Sequence, residues 1–389
     1  MPESYSDYQL LTVLQQYAAI VPASRIQFPH SISKETLHDF LLQSIILDPH
    51  FSKYSPSKQY QKSFWKYVVQ HLELVCSRVQ VSARQKSIYG IMKDVEIDTR
   101  ILSILTETST STPLRGISVP APPSPSYITY YWRLDVPAHG NKTSAPIEYF
   151  RTTLLESGTM IESGTTGFRT WLASLHLANY IISHPDWVRD ARVLELGSGI
   201  GFLGMIIGSV QMLAGSPTNL PQGGTLRPIL HMTDVDSEVI ARCISNIKLP
   251  CNMTASSHHR DNIRVSVLDW SDALRPDISA IKARIQQEIN ADVIIGADIV
   301  FDPGLIPALM ATLSLALDPG SEIRRKVALI ALTIRNEDTY AAFCATAQQY
   351  NLVISDLDYP TTRSFFLDIV DRRVDLEKQN VKIMKITVQ

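Results

Sequence analysis

Three glycines, Gly197, Gly199 and Gly201, follow the short apolar run Val193-Leu194-Glu195-Leu196, and a helical pattern begins at Phe202-Leu203-Gly204-Met205-Ile206-Ile207. Strand, glycine turn and helix in that order make a cradle for a nucleotide-like cofactor, because glycine lets the backbone turn tightly and approach a ligand with no Cβ in the way. Glu195 stands two positions before the first glycine, at the strand end that faces the cradle. A carboxylate there suits a ligand with a cationic end, such as the sulfonium and ammonium of S-adenosylmethionine, and repels a pyrophosphate such as that of NAD. The run Gly199-Ile200-Gly201-Phe202-Leu203-Gly204 also satisfies the dinucleotide pattern G-x-G-x-x-G. That pattern expects an acid about 20 residues further on. Here the next strand-end acid is Asp234, 35 residues after Gly199 with an insertion between. Spacing leaves both cofactors open; Glu195 and the motifs further along favour S-adenosylmethionine.

Those motifs are acids at strand ends. Asp234 closes His231-Met232-Thr233-Asp234, where a carboxylate can accept hydrogen bonds from both hydroxyls of a ribose. It could instead cap the following helix, a role that suits Asp236 better. Val267-Leu268-Asp269-Trp270 ends another strand. Asp269 can accept from the exocyclic amine of an adenine and Trp270 can wall its ring, although a loop acid beside a core aromatic reads the same way. The buried run Asp292-Val293-Ile294-Ile295-Gly296-Ala297-Asp298 ends at Asp298, which points towards a reacting centre unless it caps a helix before Pro303. Trp171, in Gly167-Phe168-Arg169-Thr170-Trp171, covers the cofactor or fills the core; residue type alone does not decide.

The elements that must position these residues follow from apolar spacing. Strands are predicted over 192–196, 229–233, 263–268, 292–297 and 327–333, alternating with helices over 169–184, 202–213, 237–247, 276–290, 304–317 and 337–350. Such alternation predicts an α/β fold with a doubly wound parallel sheet. Residues 351–358, 364–370 and 380–388 read as strands with no helix between them, which predicts an antiparallel hairpin at the sheet edge. Residues 127–162 read as two strands around the polar loop His139-Gly140-Asn141-Lys142. Residues 1–105 show helical spacing punctuated by Pro22, Pro29, Pro49 and Pro56, and read as a helical cap or partner-binding domain. Residues 106–126 carry Pro120, Pro122, Pro123 and Pro125 among serines and threonines and are predicted to be a linker. The domain boundaries are therefore expected at 1–105, 106–126 and 127–389. Residues 214–228 read as a surface insertion. The loop 252–262 holds His258-His259 without a third ligand at useful spacing, so no metal is expected.

Composition bounds the rest. Hydrophobic residues make up 45% of the 389 and charged residues 19%, as in globular proteins. A formal net charge of −2, with no Lys/Arg run, argues against direct nucleic-acid binding. Cys76, Cys243, Cys251 and Cys344 are scattered without a C-x-x-C pair, as expected of reduced thiols. With no basic region leading into an apolar run at the N-terminus and no long apolar stretch, the expectation is a cytoplasmic protein without a membrane span.

The tract Gly164-Thr165-Thr166-Gly167…Trp171, the cradle Glu195–Gly204, the triplet Leu268-Asp269-Trp270 and the segment Asp298…Phe301 together resemble the seven-β-strand class of S-adenosylmethionine-dependent protein-lysine methyltransferases. Within that class the chain resembles the elongation factor 2 lysine methyltransferases. Leu175-His176-Leu177-Ala178, Thr333-Ile334-Arg335-Asn336 and the helical N-terminal region carry that closer likeness. The class-level match covers roughly residues 147–389. It implies a Rossmann-like seven-stranded methyltransferase sheet. Trp171, Glu195, Gly197, Gly199, Asp234 and Trp270 would contact the cofactor, with Asp269 and Ala297 beside them. Asp298 would stand at the mouth of a lysine channel. The family's D-x-x-Y ends here in Phe301, which keeps the ring and loses a hydroxyl. Asp298 and Phe301 are thus the candidate catalytic residues. The implied reaction is attack of a neutral lysine amine, whose ordinary pKa is about 10.4, on the methyl group. The implied substrate is elongation factor 2, met by a monomer. Two rivals stand: the same fold acting on another protein or a small molecule, and a non-catalytic S-adenosylmethionine-binding interaction protein.

Overall fold

Runs that are apolar on both faces, separated by amphipathic helices, have one stable arrangement: a parallel sheet covered on both sides. The computed structural model describes residues 5–78, 96–106, 124–134, 149–214, 229–256, 262–320, 326–358, 366 and 380–389. Its described residues fall into two units, one within Met1–Tyr130 and the other within Tyr131–Lys142, Tyr149–Asp368 and Asp375–Gln389.

In the first unit, five helices form: α1 (Tyr5–Ala18), α2 (Lys34–Leu41), α3 (Pro49–Lys53), α4 (Lys58–Arg78) and α5 (Thr99–Thr106). Ser33 and Asp48 cap α2 and α3 through their side chains, as their residue types predict. The core is aromatic. Tyr17 meets Phe51, Tyr60 and Phe64, with ring centroids 5.5, 5.8 and 4.6 Å away. The expected helical character holds for the described part of 1–105.

The second unit contains a seven-stranded sheet. Its strands are β3 (Val193–Leu196), β4 (Leu230–Asp234), β5 (Ile263–Val267), β6 (Val293–Ala297), β7 (Val327–Ile334), β8 (Leu352–Asp356) and β9 (Asn380–Val388). The earlier strands β1 (Ser126–Trp132) and β2 (Phe150–Glu156) lie outside it. Across the sheet the order is β5-β4-β3-β6-β7-β9-β8, with β9 antiparallel to both β7 and β8. The doubly wound sheet and its C-terminal antiparallel hairpin are as expected. Helices α6 (Leu172–Ser183), α7 (Phe202–Ala214), α8 (Ser237–Ile247), α9 (Ser279–Ala283), α10 (Ile306–Leu317) and α11 (Glu337–Gln349) accompany it. On one face Leu194, Leu196, Ile294, Ala328, Ile330 and Ile386 pack with Leu309 and Leu313 of α10. All four residues of β3 are buried, as a central parallel strand requires. The chain leaves β3 towards β4 on one side, and β6 pairs with β3 on the other. That reversal opens a crevice at the carboxyl ends of β3 and β6, where α/β sheets bind ligands.

Local structure departs from periodicity in three places. The helix expected from 169 begins only at Leu172, because Trp171 just before it is extended, with φ −97° and ψ 160°. The helix expected over 276–290 is α9 extended by a wider π-helical stretch, Arg284–Ile289, that ends in left-handed Asn290. Before Pro303 the capping acid is Asp302, which accepts from Gly304 N, so Asp298 is not a helix cap. The loop around His139, most of the linker, the insertion 215–228, His258-His259 and the strand predicted over 364–370 (Phe366 aside) lie outside the described residues.

Candidate active site

The glycine turn after β3 is held from three sides. Gly197 and Gly199 have φ of +65° and +53°. A Cβ on Gly199 would stand 3.0 Å from the Gly167 carbonyl oxygen, so the cradle approaches the Gly164–Gly167 tract too closely for a side chain. Ser198 is tied to the neighbouring strand: its N–H donates to Thr233 O at 2.8 Å and its Oγ accepts from Thr233 N at 2.9 Å. Asp234 completes the turn, accepting from Gly199 N at 3.0 Å through Oδ2 and from Asp236 N at 3.2 Å through Oδ1. Asp236 is the helix cap, receiving Glu238 N and Val239 N. The two acids thus divide the roles that residue type had left open: Asp236 serves α8 and Asp234 serves the cradle.

Glu195 has the least compensated environment. The residue is 2% exposed, and its Oε2 atom is buried without a hydrogen-bond partner of good geometry. Burial pushes its carboxyl up to about 8, and the Asp234 charge raises it further; the Ser198 hydroxyl and the Gly204 amide oppose the shift. Burial raises Asp234 as well, against the amides that hold it. Below the turn, Cys243 is buried beneath Gly201, its thiol pushed up by burial and by both acids.

All ten residues predicted for the site line one cleft of about 220 Å³: Trp171, Glu195, Gly197, Gly199, Asp234, Asp269, Trp270, Ala297, Asp298 and Phe301. Trp270 lies beside Gly197, and Asp269 accepts from Ser271 N at 2.9 Å to cap the 3-10 turn Trp270–Leu274. Trp171 stands at the rim, half-buried, its indole N–H donating to Thr166 O at 3.0 Å. Phe301 is 59% exposed at the mouth. Asp298 closes β6 in left-handed backbone, φ +54°, which aspartate tolerates better than most residues. Its carboxylate is engaged: Oδ1 accepts from Thr333 N at 2.9 Å and Oδ2 from Thr333 Oγ1 at 3.0 Å, while Arg335 approaches to 3.3 Å. The acid expected at the mouth of a lysine channel thus already meets four donor atoms, two from Thr333 and two from Arg335.

Residue type had not singled out Ser198 or Val235 as lining the cleft, nor Arg335 as the partner of Asp298. Val235, 61% exposed directly after Asp234, was legible as an apolar residue next to a strand-end acid. The partnership of Arg335 was not, because it depends on pairing between β6 and β7. Among the described residues no group of acids, histidines and cysteines could hold a metal, and no helix is long and apolar enough to cross a membrane.

The cradle fits S-adenosylmethionine on its own residues. An unpartnered buried carboxyl oxygen in Glu195 calls for a cation, a glycine turn leaves room for a close approach, and Asp234 retains lone pairs for hydroxyls. Residues 157–350 match the family model for lysine methyltransferase. The chain is 32% identical over 237 residues to protein-lysine N-methyltransferase EFM3 of Chaetomium thermophilum, covering 60% of each chain. It is 31% identical over 199 residues to protein-lysine N-methyltransferase EEF2KMT of Homo sapiens, covering 49% of this chain and 52% of that one. The match thus spans between about half and three fifths of the length of these curated relatives. Among solved structures, the glycopeptide N-methyltransferase MtfA aligns at 11% identity and TM-score 0.36, over 56% of this chain and 92% of that one.

Proposed function

Because the chain belongs to the lysine methyltransferase family, we propose that it is a protein-lysine N-methyltransferase acting on a lysine of translation elongation factor 2. S-adenosylmethionine is the cofactor. The observation that carries the reading is the buried, unpartnered Glu195 oxygen inside the glycine cradle. Bound S-adenosylmethionine supplies an electrophilic methyl group and a positive charge. Glu195 answers that charge, Asp234 accepts from the ribose hydroxyls, and Asp269, Trp270 and Val235 border the adenine.

On the substrate side Asp298 attracts and orients the lysine side chain, and Phe301 flanks it at the mouth. Only a neutral amine is a nucleophile, so the cleft must favour loss of a proton, by desolvation or to water. No residue of the cleft is a strong base. Orientation at about 3–3.5 Å from the reacting carbon therefore supplies most of the acceleration. Elongation factor 2 as substrate rests on the resemblance carried by Thr333–Asn336 and Leu175–Ala178 and on the helical N-terminal region. A cytoplasmic monomer belongs to the same reading.

The test is methyl transfer from radiolabelled S-adenosylmethionine to purified elongation factor 2, with calorimetric cofactor binding alongside. Label on a lysine of the factor supports the proposal. Tight cofactor binding without label on the factor would move the substrate to another protein or a small molecule. Failure to bind the cofactor would overturn the reading altogether.

A further inference from the structure

The carboxylate proposed to receive the substrate's ammonium is not vacant. Thr333 N and Thr333 Oγ1 supply one donor to each Asp298 oxygen, at 2.9 and 3.0 Å. The Arg335 guanidinium covers what remains, with its two terminal nitrogens 3.5 and 3.3 Å from the same oxygens. The two contacts differ in kind. Thr333 bonds are short and come partly from the backbone. The Arg335 contacts are long, and its side chain is 43% exposed while that of Asp298 is 5% exposed. An ion pair whose cationic partner is this open to water is held weakly. In the same position Arg335 also faces an aromatic ring: its guanidinium carbon lies 5.4 Å from the centre of Trp171, and Arg169 stands 5.2 Å from that ring.

We propose that Arg335 occupies, in the ligand-free protein, the position at Asp298 that the substrate's ammonium takes, so that the incoming lysine binds by exchanging with it. The inference rests on the methyltransferase reading above. Charge balance favours an exchange. Without any cation Asp298 would be a nearly buried, unpaired carboxylate, which is costly. With Arg335 held permanently, Asp298 would have no edge left for a second cation. An exchange keeps one positive charge on the carboxylate throughout, and Trp171 gives the displaced guanidinium a face to rest on. Arg335 is thus a positioning and specificity-setting residue: only a cation slender enough to enter beside Phe301 competes for the place.

The experiment compares wild type, Arg335→Gln and Arg335→Lys as full-length proteins loaded with S-adenosylhomocysteine. n-Butylammonium chloride serves as the side-chain probe, read by the indole N–H resonance of Trp171, assigned with Trp171→Phe. Removing a competing ion pair of this strength should lower the probe's half-saturation by about threefold or more in Arg335→Gln. Arg335→Lys, still cationic, should remain near wild type. In steady state with elongation factor 2, Arg335→Gln should lower KM more than it changes kcat. Equal probe affinity in all three proteins, or weaker binding in Arg335→Gln, overturns the exchange. If wild type leaves elongation factor 2 unlabelled, the proposed substrate fails, and the probe titration still decides the role of Arg335.

Discussion

A carboxyl group raised by burial makes stability depend on pH, and Glu195 is the clearest case. Its folded value of about 8 lies above the ordinary value of 4.5. The raised pKa means that the group favours folding when protonated, at and below its ordinary value. That contribution is lost as pH rises towards 8. The Tm of the ligand-free protein should therefore fall across this window, and Glu195→Gln should flatten the fall. Asp234, shifted in the same direction, leaves a residual slope. The same variant should weaken S-adenosylmethionine by about tenfold or more, since a hydrogen-bonded charge is typically worth about 1.5–3 kcal/mol. A Tm–pH series and a calorimetric titration check both halves. At Asp298, asparagine is the informative replacement, because it tolerates the left-handed backbone and can still accept from Thr333 N. Asp298→Asn should lose methyl transfer while keeping cofactor affinity. An equal loss of both would place Asp298 with the cofactor. Phe301→Tyr adds one hydroxyl at an exposed rim and should change the rate by less than about tenfold, under roughly 1.4 kcal/mol in the barrier.

At the scale of elements, the turn after β3 and the cap of α8 carry neighbouring acids with separable duties. Among the described residues Asp236 accepts from helix amides, so Asp236→Ala should cost about 1 kcal/mol of stability, visible in denaturant unfolding, and leave cofactor affinity nearly intact. Asp234 holds the Gly199 amide and lines the cleft. Asp234→Ala should weaken S-adenosylmethionine and S-adenosylhomocysteine alike, by about tenfold through the hydrogen bonds lost. Gly199→Ala combines a strained positive φ with a Cβ 3.0 Å from the Gly167 carbonyl. It should reduce cofactor affinity by pushing the turn away from the Gly164–Gly167 tract. Unaltered affinity in that variant would show that this close approach does not shape the cleft.

For the whole molecule, the described residues lining the cleft lie between Thr165 and Ala308, within the second unit. The first unit brings an aromatic core of its own around Tyr17, Phe51 and Phe64. Deleting residues 1–106 should leave cofactor binding to the remainder while abolishing methylation of elongation factor 2. Full methylation by the shortened chain would remove the N-terminal helices from substrate recognition.

The glycine cradle, the strand-end acids and the alternation of strand and helix were legible in the sequence because each is local. A strand–turn–helix motif sets its own backbone, and the period of apolar residues says which faces are buried. Local pattern marked Glu195, the glycines, Asp234, Asp269, Trp270 and Asp298; Trp171, Ala297 and Phe301 were assigned to the cleft only through the family resemblance. Local pattern did not reveal the late start of α6 behind the extended backbone of Trp171, or the π-helical extension of α9. Tertiary structure alone decided what each side chain finds at the end of its strand. β6 and β7 pair in a register that sets Ala297 beside Ala331, and so brings Thr333 and Arg335 to Asp298. Packing of β3 between β4 and β6 buries Glu195 and so raises its carboxyl well above the ordinary carboxylate range. Residue type names a carboxylate; its partners, its solvation and therefore its protonation are properties of the strands on either side.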